Sequence, residues 1–136
     1  YLLSDGRDEV RVQVKMQRRR ERRPLTADRV EIKRKWPHDH FVVELQRTRG
    51  GSGPDGTKTR PYRFGSFDIL AVSMGASRGR WSAFIYTIER SLLPADDATC
   101  LLKYQPVPPA STDCWTDDFY KCLEWLRSTV DKRIPG

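Results

Sequence analysis

The sequence predicts a mixed α/β fold, and three stretches carry that prediction. Residues Glu9 to Gln17 alternate strictly between polar and apolar side chains. Phe67 to Met74 form a nearly continuous apolar run with a second such run behind it, and Trp115 to Val130 repeat apolar residues every three or four positions. The first pattern is that of a strand with one buried face, the second of a strand buried on both, and the third of an amphipathic helix.

Composition narrows the class. A chain of 136 residues has the length of one domain around one core. Hydrophobic residues at 38% against charged residues at 32%, with a mean hydropathy of −0.69, make it wetter than an average globular chain. Four Trp, five Tyr and five Phe still supply core material, so a folded domain is expected. No apolar run approaches the roughly 20 residues a bilayer crossing needs, and the first residues lack the layout of a secretory signal. The expectation is a soluble, cytoplasmic protein with no membrane contact. Cys100, Cys114 and Cys122 are odd in number and form no CxxC pair, which excludes a disulfide framework and argues against a closed zinc site. A net charge of +7 and a pI near 9.6 point to a polyanionic partner, since clustered Lys and Arg gain affinity by releasing counterions from a phosphate backbone. The competing account of the same bias is arginine-rich coding from a GC-rich genome, with no ligand at all.

The elements follow in chain order. Tyr1-Leu2-Leu3 opens the chain inside an apolar run and without Met, so the sequence reads as a fragment of a longer protein that lacks its N-terminal part. Asp5-Gly6-Arg7-Asp8 has turn chemistry and leads into the alternating strand, with Val10, Val12, Val14 and Met16 on one face and Glu9, Arg11, Gln13, Lys15 and Gln17 on the other. Gln17 to Pro24 is an arginine-rich loop or short solvated helix. Arg29 to Lys33 alternates weakly, and Phe41 to Leu45 is a clearer strand. Arg47 to Arg63, with four glycines and two prolines, reads as a long basic loop. Phe67 to Met74, a turn over Gly75 to Arg80, and Trp81 to Ile88 make a hairpin of buried strands. Leu101 to Tyr104 is a short edge strand before the prolines of 106 to 109. The last element is a helix with Trp115, Phe119, Cys122, Leu123, Leu126 and Val130 on one stripe, capped by the Thr116 hydroxyl with Asp117 and Asp118 behind it.

Residues i and i+2 of a strand point the same way, so Gln13 and Lys15 project side by side while the valines around them anchor the strand. A metal-dependent nuclease needs oxygen ligands for a hard cation and a nearby ammonium for the attacking water or the scissile phosphate. Val12-Gln13-Val14-Lys15 resembles the (D/E/Q)xK half-motif of the PD-(D/E)xK phosphodiesterase superfamily, which includes many restriction endonucleases and Holliday-junction resolvases. The likeness covers roughly residues 1 to 90, with the hairpin of Phe67 to Ile88 resembling the later strands of such cores. It implies a restriction-endonuclease-like mixed central sheet of four to five strands with a C-terminal helix, and a Mg²⁺-dependent DNA endonuclease of restriction or phage-defence type. Gln13 and Lys15 would then be catalytic, with Gln13 and a carboxylate holding the metal and Lys15 orienting or deprotonating the water. The family's metal-binding aspartate belongs at the start of the preceding strand, at or just before Tyr1, and is absent there. Asp5 and Asp8, both in the predicted turn, are the nearest carboxylates, and Asp5 is taken as the metal ligand.

Two arginine-rich stretches suit phosphate contacts, because guanidinium groups pair bidentately with phosphate oxygens. They are Arg18, Arg19, Arg20, Arg22 and Arg23, and the later Arg47, Arg49, Lys58 and Arg60. The competing reading of each is a solvated loop. Glu31-Ile32-Lys33 behind Asp28 is a second triplet of the same form, for which a solvated charge pair is the simpler account. Glu44 with Gln46 repeats the spacing and is read as an added carboxylate or as an exposed strand face. His38 and His40 lack a third ligand, and Trp36 and Tyr62 are read as base-stacking or packed rings. Two alternatives stay open beside the nuclease: a non-catalytic nucleic-acid-binding module of the same fold, and a structural subunit with an acidic protein partner. Double-strand cleavage would call for a homodimer.

Overall fold

A computed structural model describes residues 2–4, 9–17, 19–20, 23–24, 36–37, 39–48, 59–75, 83–129 and 131–135. Among the described residues the strands in chain order are β1 (Leu2–Ser4), β2 (Glu9–Met16), β3 (Arg19–Arg20), β4 (Arg23–Pro24), β5 (Phe41–Glu44), β6 (Gln46–Thr48), β7 (Thr59–Pro61), β8 (Ile69–Ser73), β9 (Phe84–Ile88) and β10 (Tyr104–Val107). Among the described residues one α-helix, α1 (Phe119–Arg127), follows them. The mixed α/β class is therefore seen.

The central sheet has the order β1-β2-β8-β9. β1 and β2 are antiparallel with Leu3 opposite Val10, β2 and β8 are parallel with Gln13 beside Leu70, and β8 and β9 are antiparallel with Ala71 opposite Tyr86. All five residues of β8 are buried, as its apolar run demands of a strand flanked by neighbours and covered on both faces. One face of the sheet carries Val10, Val12, Ile69, Ala71 and Ile88 against Cys122 and Leu123 of α1. The other carries Leu70, Val72 and Ile85 into a larger core that includes Val42 and Val43 of β5 and Val107 of β10. The outer edge of β9 is covered by the segment before α1. Tyr86 and Thr116 exchange backbone hydrogen bonds of 2.7 and 2.9 Å, and Thr87 Oγ1 donates to the Cys114 carbonyl.

Several expectations need correction. Within the arginine-rich stretch, β3 and β4 pair as a small antiparallel hairpin, Arg19 with Pro24 and Arg20 with Arg23, in place of a loop or helix. The basic loop of 47 to 63 begins and ends in strands, since β6 pairs with β7 and sets Arg47 opposite Arg60. The late edge strand lies further on than Leu101–Tyr104: β10 runs through Pro106, which faces Val42 across a two-stranded sheet. A proline fits there because an edge strand leaves half its backbone donors unused. The helix cap is Asp118, whose Oδ1 accepts from the backbone N–H groups of Tyr120 and Lys121. The Thr116 hydroxyl instead accepts from Asp118 N. α1 ends at Arg127 with Ser128 as C-cap, while Val130 lies outside the described residues, as do the weak strand at 29–33 and the turns at 5–8 and 76–80. Met16 is 52% exposed, because α1 packs on β9 and β8 and leaves the far end of β2 open. Cys100, Cys114 and Cys122 are free thiols. No helix among the described residues is long and apolar enough to cross a membrane.

Candidate functional site

Strand β2 sets three polar side chains in a row on the face turned away from α1: Arg11, Gln13 and Lys15. The parallel register places Gln13 beside Leu70 and Lys15 beside Val72, so both sit at the border of the larger core, and both are half-buried. This is the side-by-side arrangement the QxK spacing implies. Lys15 Nζ lies 5.6 Å from the centre of the Tyr62 ring, within the range of a cation–π contact. Tyr62 is buried and meets Phe67 edge-on at 5.6 Å. Lys15 forms no ion pair among the described residues.

The Lys15 end of β2 leads along the chain into the first basic segment. β2 continues through Gln17, which bridges to Val43, into the β3–β4 hairpin, and β7 runs directly into Tyr62. Arg19 and Arg23 are exposed. Arg19 borders a cavity of about 420 Å³ together with Met16, Gln17 and Glu44. Glu44 approaches Lys103 Nζ at 3.8 Å, and His40 Nδ1 lies 2.8 Å from Asp39 Oδ1. For Arg20, Arg47 and Arg60 only the backbone register is described. Asp5, Arg18, Arg22, Arg49 and Lys58 lie outside the described residues, and so do Asp28, Glu31, Lys33 and His38.

The Arg11 end is a different environment. Arg11 N donates to Asp68 Oδ2 at 2.8 Å, its Nη2 lies 3.2 Å from Asp68 Oδ1, and its Nη1 donates to the Gly65 carbonyl at 2.9 Å. Behind this pair, buried Glu89 accepts from Gly65 N at 2.9 Å and from Phe67 N at 3.2 Å. Gly65 holds a φ of +91°, which a side chain would oppose, and Glu89 ties down the turn that it makes. Burial pulls the Asp68 carboxyl upward, but the hydrogen bonds and charge of Arg11 together outweigh it and hold that carboxyl below its ordinary value. Burial dominates at Glu89 and raises it, against the opposing amides of Gly65 and Phe67. The sequence concealed this cluster, because its members lie in three distant segments. Its only trace was a charged residue two positions before Gln13 on the same face.

A hard cation takes oxygen ligands, carboxylates foremost. Among the described residues Gln13 contributes one amide oxygen, Asp68 is engaged by Arg11, and Glu89 by backbone amides. In the antiparallel register of β1, Leu2 stands opposite Arg11 and Ser4 opposite Glu9. No group of three or more His, Cys, Asp or Glu side chains among the described residues is placed to hold a metal. The described residues do not by themselves fit a magnesium site.

Two further hollows lie away from this row. One, of about 300 Å³, is lined by Leu3, Val12, Val14, Phe84 and Phe119 on the helix face. The other, of about 450 Å³, lies beside Trp36 and Trp115.

No protein-family model matches this chain, and neither the characterised proteins nor the solved structures give a match.

Proposed function

We propose that this chain acts on DNA as an endonuclease-type domain of the restriction or phage-defence kind, with Gln13 and Lys15 at the phosphodiester and the arginine hairpins along the flanking backbone. One observation carries the reading. Lys15 stands beside Gln13 on the middle of the sheet, over Tyr62, with an ammonium that no carboxylate engages among the described residues, and the arginines of β3 and β4 follow it along the chain. An ammonium so placed donates to phosphate oxygens and offsets the negative charge that builds as water attacks phosphorus. The arginines hold the chain on either side, and their contribution weakens as salt rises. Magnesium dependence comes from the resemblance to PD-(D/E)xK enzymes, and the carboxylates it requires would have to come from outside the described residues, with Asp5 the first to test.

A specific observation favours a second reading, DNA binding without cleavage. The two carboxylates that face this row, Asp68 and Glu89, are already committed to Arg11 and to the amides of Gly65 and Phe67.

The test is incubation of the chain with supercoiled plasmid in Mg²⁺ or EDTA, alongside Lys15→Ala, with binding to a labelled duplex followed in parallel. Nicking that needs Mg²⁺ and is lost in the variant establishes the nuclease. Salt-sensitive binding without nicking establishes the second reading. Absence of binding at physiological salt sinks both.

A further inference from the structure

We infer that Tyr62 is a positioning residue for Lys15: its ring holds the ammonium where the phosphodiester is to be engaged, an inference that rests on the nuclease reading above and adds a residue to it. A lysine carries a compact charge on a flexible four-carbon stem, and the stem must be held still before the charge can serve one atom. A carboxylate would hold it while neutralising it, and a phosphate would then have to compete for it. The face of an aromatic ring attracts the ammonium through its quadrupole and carries no net charge, so the whole positive charge stays on offer to an anion. The second case is the one found here. Half-buried Lys15 has its Nζ 5.6 Å from the centre of the Tyr62 ring, and no carboxylate pairs with it among the described residues.

A ring can position a neighbour only if it is itself fixed, and Tyr62 is. It is buried in the larger core. Its carbonyl accepts from Leu101 N at 2.8 Å, which fastens the backbone on which the ring is mounted. The Phe67 ring meets it edge-on at 5.6 Å with the two planes at 90°, an arrangement that aromatic quadrupoles favour. Phe67 is fastened in turn, since its backbone N–H donates to Glu89 Oε2 at 3.2 Å. The carboxylate behind the Arg11 end of β2 thus supports, through Phe67 and Tyr62, the ammonium at the other end.

The experiment replaces Tyr62 in the full chain by phenylalanine and by singly, doubly and fully ring-fluorinated phenylalanine, which drain the negative face of the ring while keeping its shape. Each replacement is repeated on Lys15→Ala, and Mg²⁺-dependent plasmid nicking is read as kcat and KM. Tyr62→Phe should keep kcat within about twofold of the wild type, and along the fluorinated series kcat should fall in steps to about tenfold lower with KM nearly constant, as for an interaction made in the transition state. On Lys15→Ala the series should be flat. A flat series with Lys15 present overturns the inference and leaves the nuclease reading standing, because a ring that only fills the core is indifferent to its electrons. An equal fall on Lys15→Ala also overturns it, since the ring then acts on something other than Lys15. In the unmodified chain the ring should shift the Lys15 ε-methylene protons upfield of those of an exposed lysine, and their appearance at the exposed position removes the contact itself. A wild type that does not nick plasmid overturns the nuclease reading and this role with it.

Discussion

The two ends of strand β2 carry the same kind of residue on the same face, yet the fold treats them in opposite ways. At one end the half-exposed Arg11 is tied to the Asp68 carboxylate and to the Gly65 carbonyl, with Glu89 securing the turn behind. Four residues along, Lys15 keeps its ammonium over an aromatic ring with no ion-pair partner among the described residues. A cation spent on a carboxylate holds the fold, whereas a cation left on a ring remains available to an anion that arrives later. Sequence spacing alone cannot separate the two, because Arg11 and Lys15 occupy equivalent positions of one alternating pattern.

That contrast yields experiments of decreasing size. Lys15→Ala should lower Mg²⁺-dependent nicking by about 100-fold or more, the scale on which positioned proton-transfer and charge-stabilising groups act, while leaving the urea midpoint nearly unchanged. A large loss of stability in this variant would erase the distinction. Arg90→Ala, at the closed end, should cost about 2 kcal/mol in urea unfolding, because its guanidinium donates to the carbonyls of Trp125, Leu126 and Ser128 where α1 ends. Arg11→Ala should cost about 1 kcal/mol, reduced by the partial exposure of the pair, and leave DNA affinity within about twofold.

The smallest effects are in pH, and the two carboxylates should move in opposite directions. Asp68 has a lowered carboxyl, so its contribution is full above the ordinary carboxylate value and is lost as pH falls through the lowered one. Glu89 has a raised carboxyl, so its contribution is full in acid and is lost as pH rises through the raised value. Thermal melts from pH 3 to pH 7 should show the wild type gaining on Asp68→Asn and losing ground to Glu89→Gln. Parallel curves for the two variants would mean that the carboxylates do not differ in this way.

Elements whose pattern reflects burial were legible from the residues. β2, β5, β8, β9 and α1 each follow a run of apolar side chains whose period matches the side they bury, and the order of the buried hairpin could be read directly. The short pairs were not. Arg19 to Pro24 has no apolar period, so nothing in its side-chain pattern marks the pairing of β3 with β4. Pro106 misled in the other direction, because proline opposes an interior strand and is tolerated at an edge. At the candidate site, the pairing of Gln13 with Lys15 follows from strand geometry and was legible. The Tyr62 ring under Lys15 was not, since it depends on a chain reversal some 45 residues later. The Arg11–Asp68–Glu89 cluster was hidden for the same reason: three segments far apart in the chain meet only after the sheet forms.

Three consecutive residues tie the molecule together at one point. Glu89 accepts from the amides of Gly65 and Phe67, Arg90 holds the last carbonyls of α1, and the Ser91 carbonyl accepts from Ile134 N at 3.0 Å. A turn, a helix end and the C-terminal segment are thus fastened to a single short stretch of backbone. Opening that stretch releases all three at once, so the amides of Gly65, Phe67 and Ile134 should exchange with solvent deuterium at a common rate, as one cooperative unit.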